Sequence, residues 1–408
     1  MTQFLDTANA WLTSRTDESV RRGALDAFVA AGLPTTTDEV WRYAPLADFD
    51  LNRYSVATPT GIAPTTPLTE SIAALGSIVV RTLDGVVQAI TGDIEGVTVT
   101  WSETRSADSA TERYAADSLA TLNWALMGGQ LTIQVAEGVN APGTIVLLHA
   151  ITGSAVFPNV SIHVGRSATA NVAEVWFGGA DALVVPCEEY HVADNGSLTI
   201  ASYQRLEQSA WYVSRTTALL QRDARVHQSV IGMGAKYDRA RNDAVLQGTG
   251  AQNELWTTYL GQGDQVHDLR SHQMHEVGRT ESRLLSKGAV AEQSRSIYTG
   301  LIEIERGARR TDARQTNHNL LLSPHAHADT VPNLDIREND VTCAHASSVG
   351  PLDELQRWYL ESRGVTRHDA ERLMIQGFFN EMLDVLPNNL ARLLEADIAG
   401  QLEKVAVV

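Results

Sequence analysis

Two residues near the C-terminus of this 408-residue chain could do metal chemistry together: Cys343 and His345, in the stretch VTCAHASSVG. A thiolate and an imidazole suit zinc, ferrous iron or an iron–sulfur cluster. On a strand, residues i and i+2 point to one face, so both side chains could meet one ion. Two ligands do not close a site, and the chain has only one other cysteine, Cys187. The plainer alternative is a buried thiol beside a capping histidine.

Other histidines compete for attention. His325 and His327, in LLLSPHAHADT, form the His-x-His pattern that metal hydrolases combine with a further His and an Asp. Here the pattern follows Pro324 at a predicted turn, where solvent-exposed histidines are the simpler reading. His318, in TNHNLLLS, precedes an apolar strand and could face the core edge or a partner. His267, His272 and His275 do not share one parity, so a single strand cannot aim all three at one ion. The chain has no G-x-x-x-x-G-K-[ST] loop, no G-x-S-x-G and no H-E-x-x-H. No nucleotide is expected to bind this chain itself.

The elements that must position these residues change character along the chain. FLDTANAWL and SVRRGALDAFVAAG read as helices, the second with Val20, Ala24, Leu25, Phe28 and Val29 on one face. Gly32 followed by Pro34 is a stop signal. SIVVRTLDGVVQAITG reads as two strands around an Asp84-Gly85 turn, and SADSATERYAADSLATLNWAL as a further helix. From about residue 130, short alternating runs recur between small-residue turns. The small residue falls at Ala168, Ser197, Ala224, Ala251, Ala289, Ala308 and Ala326. An imperfect repeat of this size predicts one coil of a β-solenoid, with a β-sandwich as the rival. At Gly350 the period turns helical. Leu352, Leu355, Trp358 and Tyr359 form one stripe; Leu373, Met374 and Phe378 form a second; Leu390, Leu393, Leu394, Ile398 and Leu402 form a third. The expected units are therefore 1–129, mostly helical with a few strands; 130–349, the β core; and 350–408, helical. Trp358, Tyr359, Phe378 and Phe379 are more aromatics than so small a helical unit usually buries, which makes them candidates for a partner surface.

Bulk composition narrows the function. The net charge of −17 argues against nucleic acid or an anionic membrane as the main partner. Two cysteines cannot build a disulfide framework, which fits a reducing compartment. The start MTQFLDTANAW lacks a basic region and carries Asp6, and no apolar run is long enough to span a bilayer. A cytoplasmic location is expected.

Taken together, these segments resemble the SufB/SufD family of iron–sulfur cluster assembly scaffolds, the SufD branch more closely. The resemblance rests on GLPTTTDEVWRYAPL (32–46) and VTCAHASSVGPLDELQRWYLESRGV (341–365), with GRTESRLLSKG and ARQTNHNLLLSPHAHADTVPNLDI between them. It implies a mainly β fold: a right-handed parallel β-helix between an N-terminal mixed, largely helical region and a C-terminal helical one. It also implies a non-catalytic scaffold that forms a heterodimer with a SufB-like sister chain, or a homodimer when isolated. A SufC-like ABC ATPase would dock on the C-terminal helices. A transient iron–sulfur cluster would be shared across the interface, with His345 as a candidate iron ligand, Cys343 a weaker one, and the remaining thiolates coming from the partner. His318 stands where SufB carries its interface cysteine, so this chain cannot supply that thiolate, and Ala346 replaces a common glycine. Two other classes stay open on the residues alone. One is a β-helix enzyme acting on acidic carbohydrate, and the other is a metal hydrolase using His325 and His327.

Overall fold

The computed structural model describes residues 1–104, 117–383 and 385–405. Its centre is a parallel β-solenoid. One sheet of ten strands runs from Val86–Gly92 through Gly76–Leu83 and Asn140–Ile151 to Asp312–Leu321 and Thr342–Gly350. A second sheet begins at Val97–Ser102 and ends at Arg295–Ile304 and His327–Ile336. Successive strands of one sheet are one coil apart in sequence and pair in parallel: Arg225 with Gln252, Gln252 with Glu281, Glu281 with Asp312 and Asp312 with Thr342. Among the described residues, only the two outermost strands at the start run antiparallel to their neighbours. The solenoid reading holds and the sandwich does not, because parallel strands one coil apart cannot build a Greek-key sandwich.

The repeat comes from one corner. There, a residue with positive φ (Ser167, Asn195, Asp223 or Gly250) precedes a small one (Ala168, Gly196, Ala224 or Ala251). The three alanines are fully buried, since a larger side chain would part the sheets at the bend. Neighbouring corners are tied by backbone bonds such as Ser167 N–H to Asp194 O (2.9 Å) and Asn195 N–H to Arg222 O (2.8 Å). Three of the residues read as turn markers lie elsewhere: Ser197 is the first residue of the strand Ser197–Leu206, one past its corner. Ala289 is inside the strand Glu281–Val290, and Ala326 belongs to the opposite corner. Mixing the two corners is what made the sequence repeat look irregular.

The ladders also begin upstream of residue 130. Gly76–Leu83 and Val86–Gly92 form the expected hairpin, with Asp84 and Gly85 both at positive φ, the conformation a two-residue hairpin turn requires. Gly76–Leu83 then pairs in parallel with Asn140–Ile151, so the hairpin is the first coil of the core and not part of a separate helical unit.

The helices cover opposite outer faces of the solenoid. On the second sheet lie α1 (Thr2–Leu12), α2 (Glu18–Ala31) and, after α3 (Pro67–Ala73), α4 (Ser118–Leu126); the rest of the helix read over 106–126 lies outside the described residues. α2 buries Arg21, Leu25 and Phe28 while Val20 and Val29 are exposed, a rotation from the expected stripe. The cause is Arg21, whose guanidinium donates to the carbonyls of Met127 (2.7 Å) and Glu103 (2.6 Å). On the first sheet lie α3, α6 (Arg367–Leu383) and α7 (Asn388–Leu402), following α5 (Glu354–Ser362). α7 buries the predicted Leu390, Leu394, Ile398 and Leu402. α6 instead buries Ala370, Ile375, Phe379 and Met382 and leaves Leu373 exposed, because apolar residues lie all round it and the sheet selects one side.

Candidate functional site

The last coil ends on two strands with no further coil above them among the described residues. Thr342–Gly350 is exposed over most of its length, with Cys343 half-buried. His327–Ile336 is likewise at the edge of its sheet. Alternation decides what each strand shows. Cys343 pairs with Ala313, which is buried in the interior beside Ile302 and Ile304, so Cys343, His345, Ser347 and Val349 share the interior side. Across the opening, Thr330 receives the Ser347 hydroxyl (2.9 Å). Leu334 and Ile336 pair with the interior residues Ile302 and Ile304 but are themselves 37% and 40% exposed. The solenoid interior is thus open at this end, lined by a thiol, an imidazole, two hydroxyls and three uncovered apolar side chains.

Beneath His345 sits Gln315, its register partner, which is 1% exposed. Gln315 reaches across to the opposite sheet at Gly300, where a Cβ would come within 2.5 Å of its amide, so a larger residue there would push the Gln315 amide aside. Both polar ends of Gln315 lack a partner among the described residues, as does Asn317 Nδ2. The floor of the opening is therefore polar as well. Burial, and then Asp312, push the Cys343 thiol up, so in this chain alone it is held as the neutral thiol.

The other histidines disperse. His318 is on the opposite face of the same sheet, its Nδ1 2.6 Å from Ser348 Oγ, with burial and Lys287 lowering its pKa. It does not meet His345. His325 lies in the exposed corner, and exposed His327 is 3.3 Å from Asp329, with no third group among the described residues to complete a hydrolase site. His267 pairs with Asp238 (3.0 Å), and His275 with Thr280 (2.7 Å) and Ser282 (3.0 Å), all buried. His272 faces outward to Glu303 (2.8 Å). Cys187 is buried and its thiol pushed far up, chiefly by desolvation. Among the described residues no group of three His, Cys, Asp or Glu could hold a metal ion. A tetrahedral iron or cluster site needs more donors than Cys343 and His345 offer.

The four aromatics also part company. Phe379 is buried in the core with Leu383 and Leu386, and Phe378 is half-buried under the Lys287 ammonium (5.0 Å). Packing uses these two. Trp358 (67% exposed) and Tyr359 (55%) stand out from α5 with Leu355, and α5 buries no residue at all.

Residues 147–378 match the family described as SUF system FeS cluster assembly, SufBD core domain. The chain belongs to this family. It is 30% identical to the iron–sulfur cluster assembly protein SufD of Bacillus subtilis over 66% of this chain and 63% of that one. With SufD of Escherichia coli it is 27% identical over 89% of this chain and 87% of the other. It is 26% identical to a SufBD family protein of Mycobacterium tuberculosis over 86% of this chain. The resemblance read from the two terminal motifs therefore holds, and it holds for the SufD branch. No helix among the described residues is long and apolar enough to cross a membrane.

Sequence reading missed Leu334, Ile336 and Val349 as functional candidates. Their signal was present: apolar residues alternating in the last strand pair before the helical switch, where no later coil remains to cover them.

Proposed function

We propose that this chain is a non-catalytic scaffold subunit in iron–sulfur cluster assembly. Its open solenoid end joins a SufB-like sister chain, and the cluster is built as cargo at the junction. The observation that carries this reading is the end itself: two unpaired edge strands around an uncovered interior that holds Cys343 and His345. Exposed edges and uncovered apolar side chains invite strand addition from another chain. One thiol and one imidazole are too few for a cluster, so the missing donors come from the partner. A site split across an interface also gives the cargo a way out when the subunits part. The Leu355, Trp358 and Tyr359 face of α5 is the docking surface for an ABC-type ATPase of the SufC kind.

The test is reconstitution. The full chain, co-purified with sister scaffold and ATPase, is loaded with iron and sulfide, and His345→Ala is compared with wild type. The expected result is an intact complex that has lost most of its bound iron and sulfide. Normal loading in the variant removes His345 from the site. Failure of the isolated variant to fold makes the residue structural.

A further inference from the structure

A second site lies on the outer face of the second sheet. The segment Glu39–Tyr43 packs on the outer face of the second sheet. There the Arg239 guanidinium lies 3.8 Å over the buried Trp41 ring and donates to Val40 O (2.9 Å). Between this segment and the sheet is a cavity of about 240 Å³. Arginines converge on it from three elements. Arg241 and Arg270 are register neighbours on adjacent strands, and Arg42 approaches from the covering segment.

The local carboxylates are already engaged. Asp243 accepts from Arg241 Nε (2.8 Å), and Asp268 is shared by Arg239 (2.5 Å), Arg270 Nε (3.1 Å) and the Tyr237 hydroxyl (2.7 Å). Arg270 is only 6% exposed, yet its Nη2 has no partner among the described residues. Its register partner Thr299 presents a hydroxyl that is also unpartnered. Leaving buried donors unmade is costly, and a guanidinium edge beside a hydroxyl matches the geometry of an oxyanion. Glu39, exposed on the rim, is the acid that opposes this. Such convergence stands out in a chain of net charge −17, whose general surface repels anions.

We propose that this cavity binds a small molecule through its carboxylate or phosphate group. Arg270 and Thr299 form the buried floor, Arg42 the closing side, and Tyr43 an apolar wall. The volume is below that of a drug-sized pocket, so the ligand is a compact anion and not a dinucleotide. The site borders the open solenoid end, sharing its edge strand through Val331 and Asn333.

The test is titration calorimetry of the full chain with inorganic phosphate and, separately, succinate at constant ionic strength, with chloride as the control anion. Saturable one-site binding of either probe is expected, and the tighter one names the anion class. Arg42→Ala, an exposed change, and Arg270→Gln should each weaken it about tenfold or more. If Arg270→Gln does not fold, Arg42→Ala alone decides. No saturable heat with either probe, or wild-type affinity in Arg42→Ala, overturns the proposal.

Discussion

The two ends of the solenoid are built to opposite purposes. At the start, the antiparallel strands Val86–Gly92 and Val97–Ser102 add Val87, Val97, Val99 and Trp101 over an interior of Ile78, Val80, Leu131, Ile133 and Ile145. Antiparallel closure stops the parallel ladder and supplies its own lid. At the far end the ladder stops in register, with none of the described residues folded back over Leu334, Ile336 and Val349. The interior changes along the way too. Early coils stack mostly Leu, Ile and Val, with His149, Glu174 and Glu188 buried among them; later ones stack Asn253, Gln273, His275, Ser282, Gln315 and Asn317, all buried. A solenoid is a sum of nearest-neighbour interfaces, so each end needs a cap. This chain carries one cap and, on our reading, takes the other from its partner.

That contrast can be broken most directly at the open end. Replacing Leu334 and Ile336 together with lysine should lower affinity for the sister scaffold about a thousandfold, as two central apolar anchors are lost. Folding of the isolated chain should change little, because both side chains are already substantially exposed. The same change at the closed end, Ile90→Lys, also at an exposed apolar residue, should leave association unchanged. Analytical ultracentrifugation of each mixture distinguishes the two. Equal effects at both ends would mean that neither is the interface.

The next largest effect separates two residues on one strand face. His345→Ala should reduce iron and sulfide retained by the reconstituted complex by about tenfold or more, while costing the fold about 1 kcal/mol or less. Cys343→Ser should reduce loading less. Its side chain packs on Ile302, Ile304 and Ala313, so its main effect should be a small loss of stability, read by urea unfolding. The reverse order would make the thiol the principal ligand of this chain.

How much of this was legible beforehand follows from what each signal measures. Period and parity are local, so the solenoid, the Asp84-Gly85 hairpin, the α7 face and the shared side of Cys343 and His345 could all be read from the chain. The Ala289 and Ala326 positions show the limit. Small residues mark tight places, but a strand interior and either corner are equally tight, and only the ladder tells them apart. Domain limits suffered likewise. The helices after Gly350 have their own periodicity, yet Ile375, Phe379 and Leu383 share one core with Val146, Val175 and Ile231 of the sheet. The arginines around Arg270 were invisible because they meet across separate coils and a segment some 200 residues earlier.

A smaller effect tests α5 against α6. Trp358→Ala should weaken binding of the ABC-type ATPase about tenfold with no change in thermal unfolding, since the ring is mostly exposed. Phe379→Ala, one helix on, should act through the fold instead. It empties a buried site and costs about 3–5 kcal/mol. ATPase binding by a folded Trp358→Ala chain at wild-type affinity would move the docking surface off α5.

The smallest effect probes the polar interior of the later coils. His275 lies between the register partners Leu246 and Ile304, bonded to Thr280 and Ser282. Desolvation lowers its pKa from the usual 6.5 to about 4. Between these values the unfolded chain binds a proton that the folded chain refuses, so stability falls as pH drops through 6.5 towards 4 and changes no further through this group below that. From about pH 7 to about pH 5.5 the loss from this residue is about 1 kcal/mol. His275→Gln, which keeps a donor and an acceptor but cannot charge, should unfold in urea with a shallower dependence on pH over that range. A conservative change at an apolar interior position, Ile133→Val, removes no titrating group and should lower stability equally at both pH values. If His275→Gln keeps the full wild-type slope, the imidazole is reached by water and protonates freely, and the later interior is wetter than its burial implies.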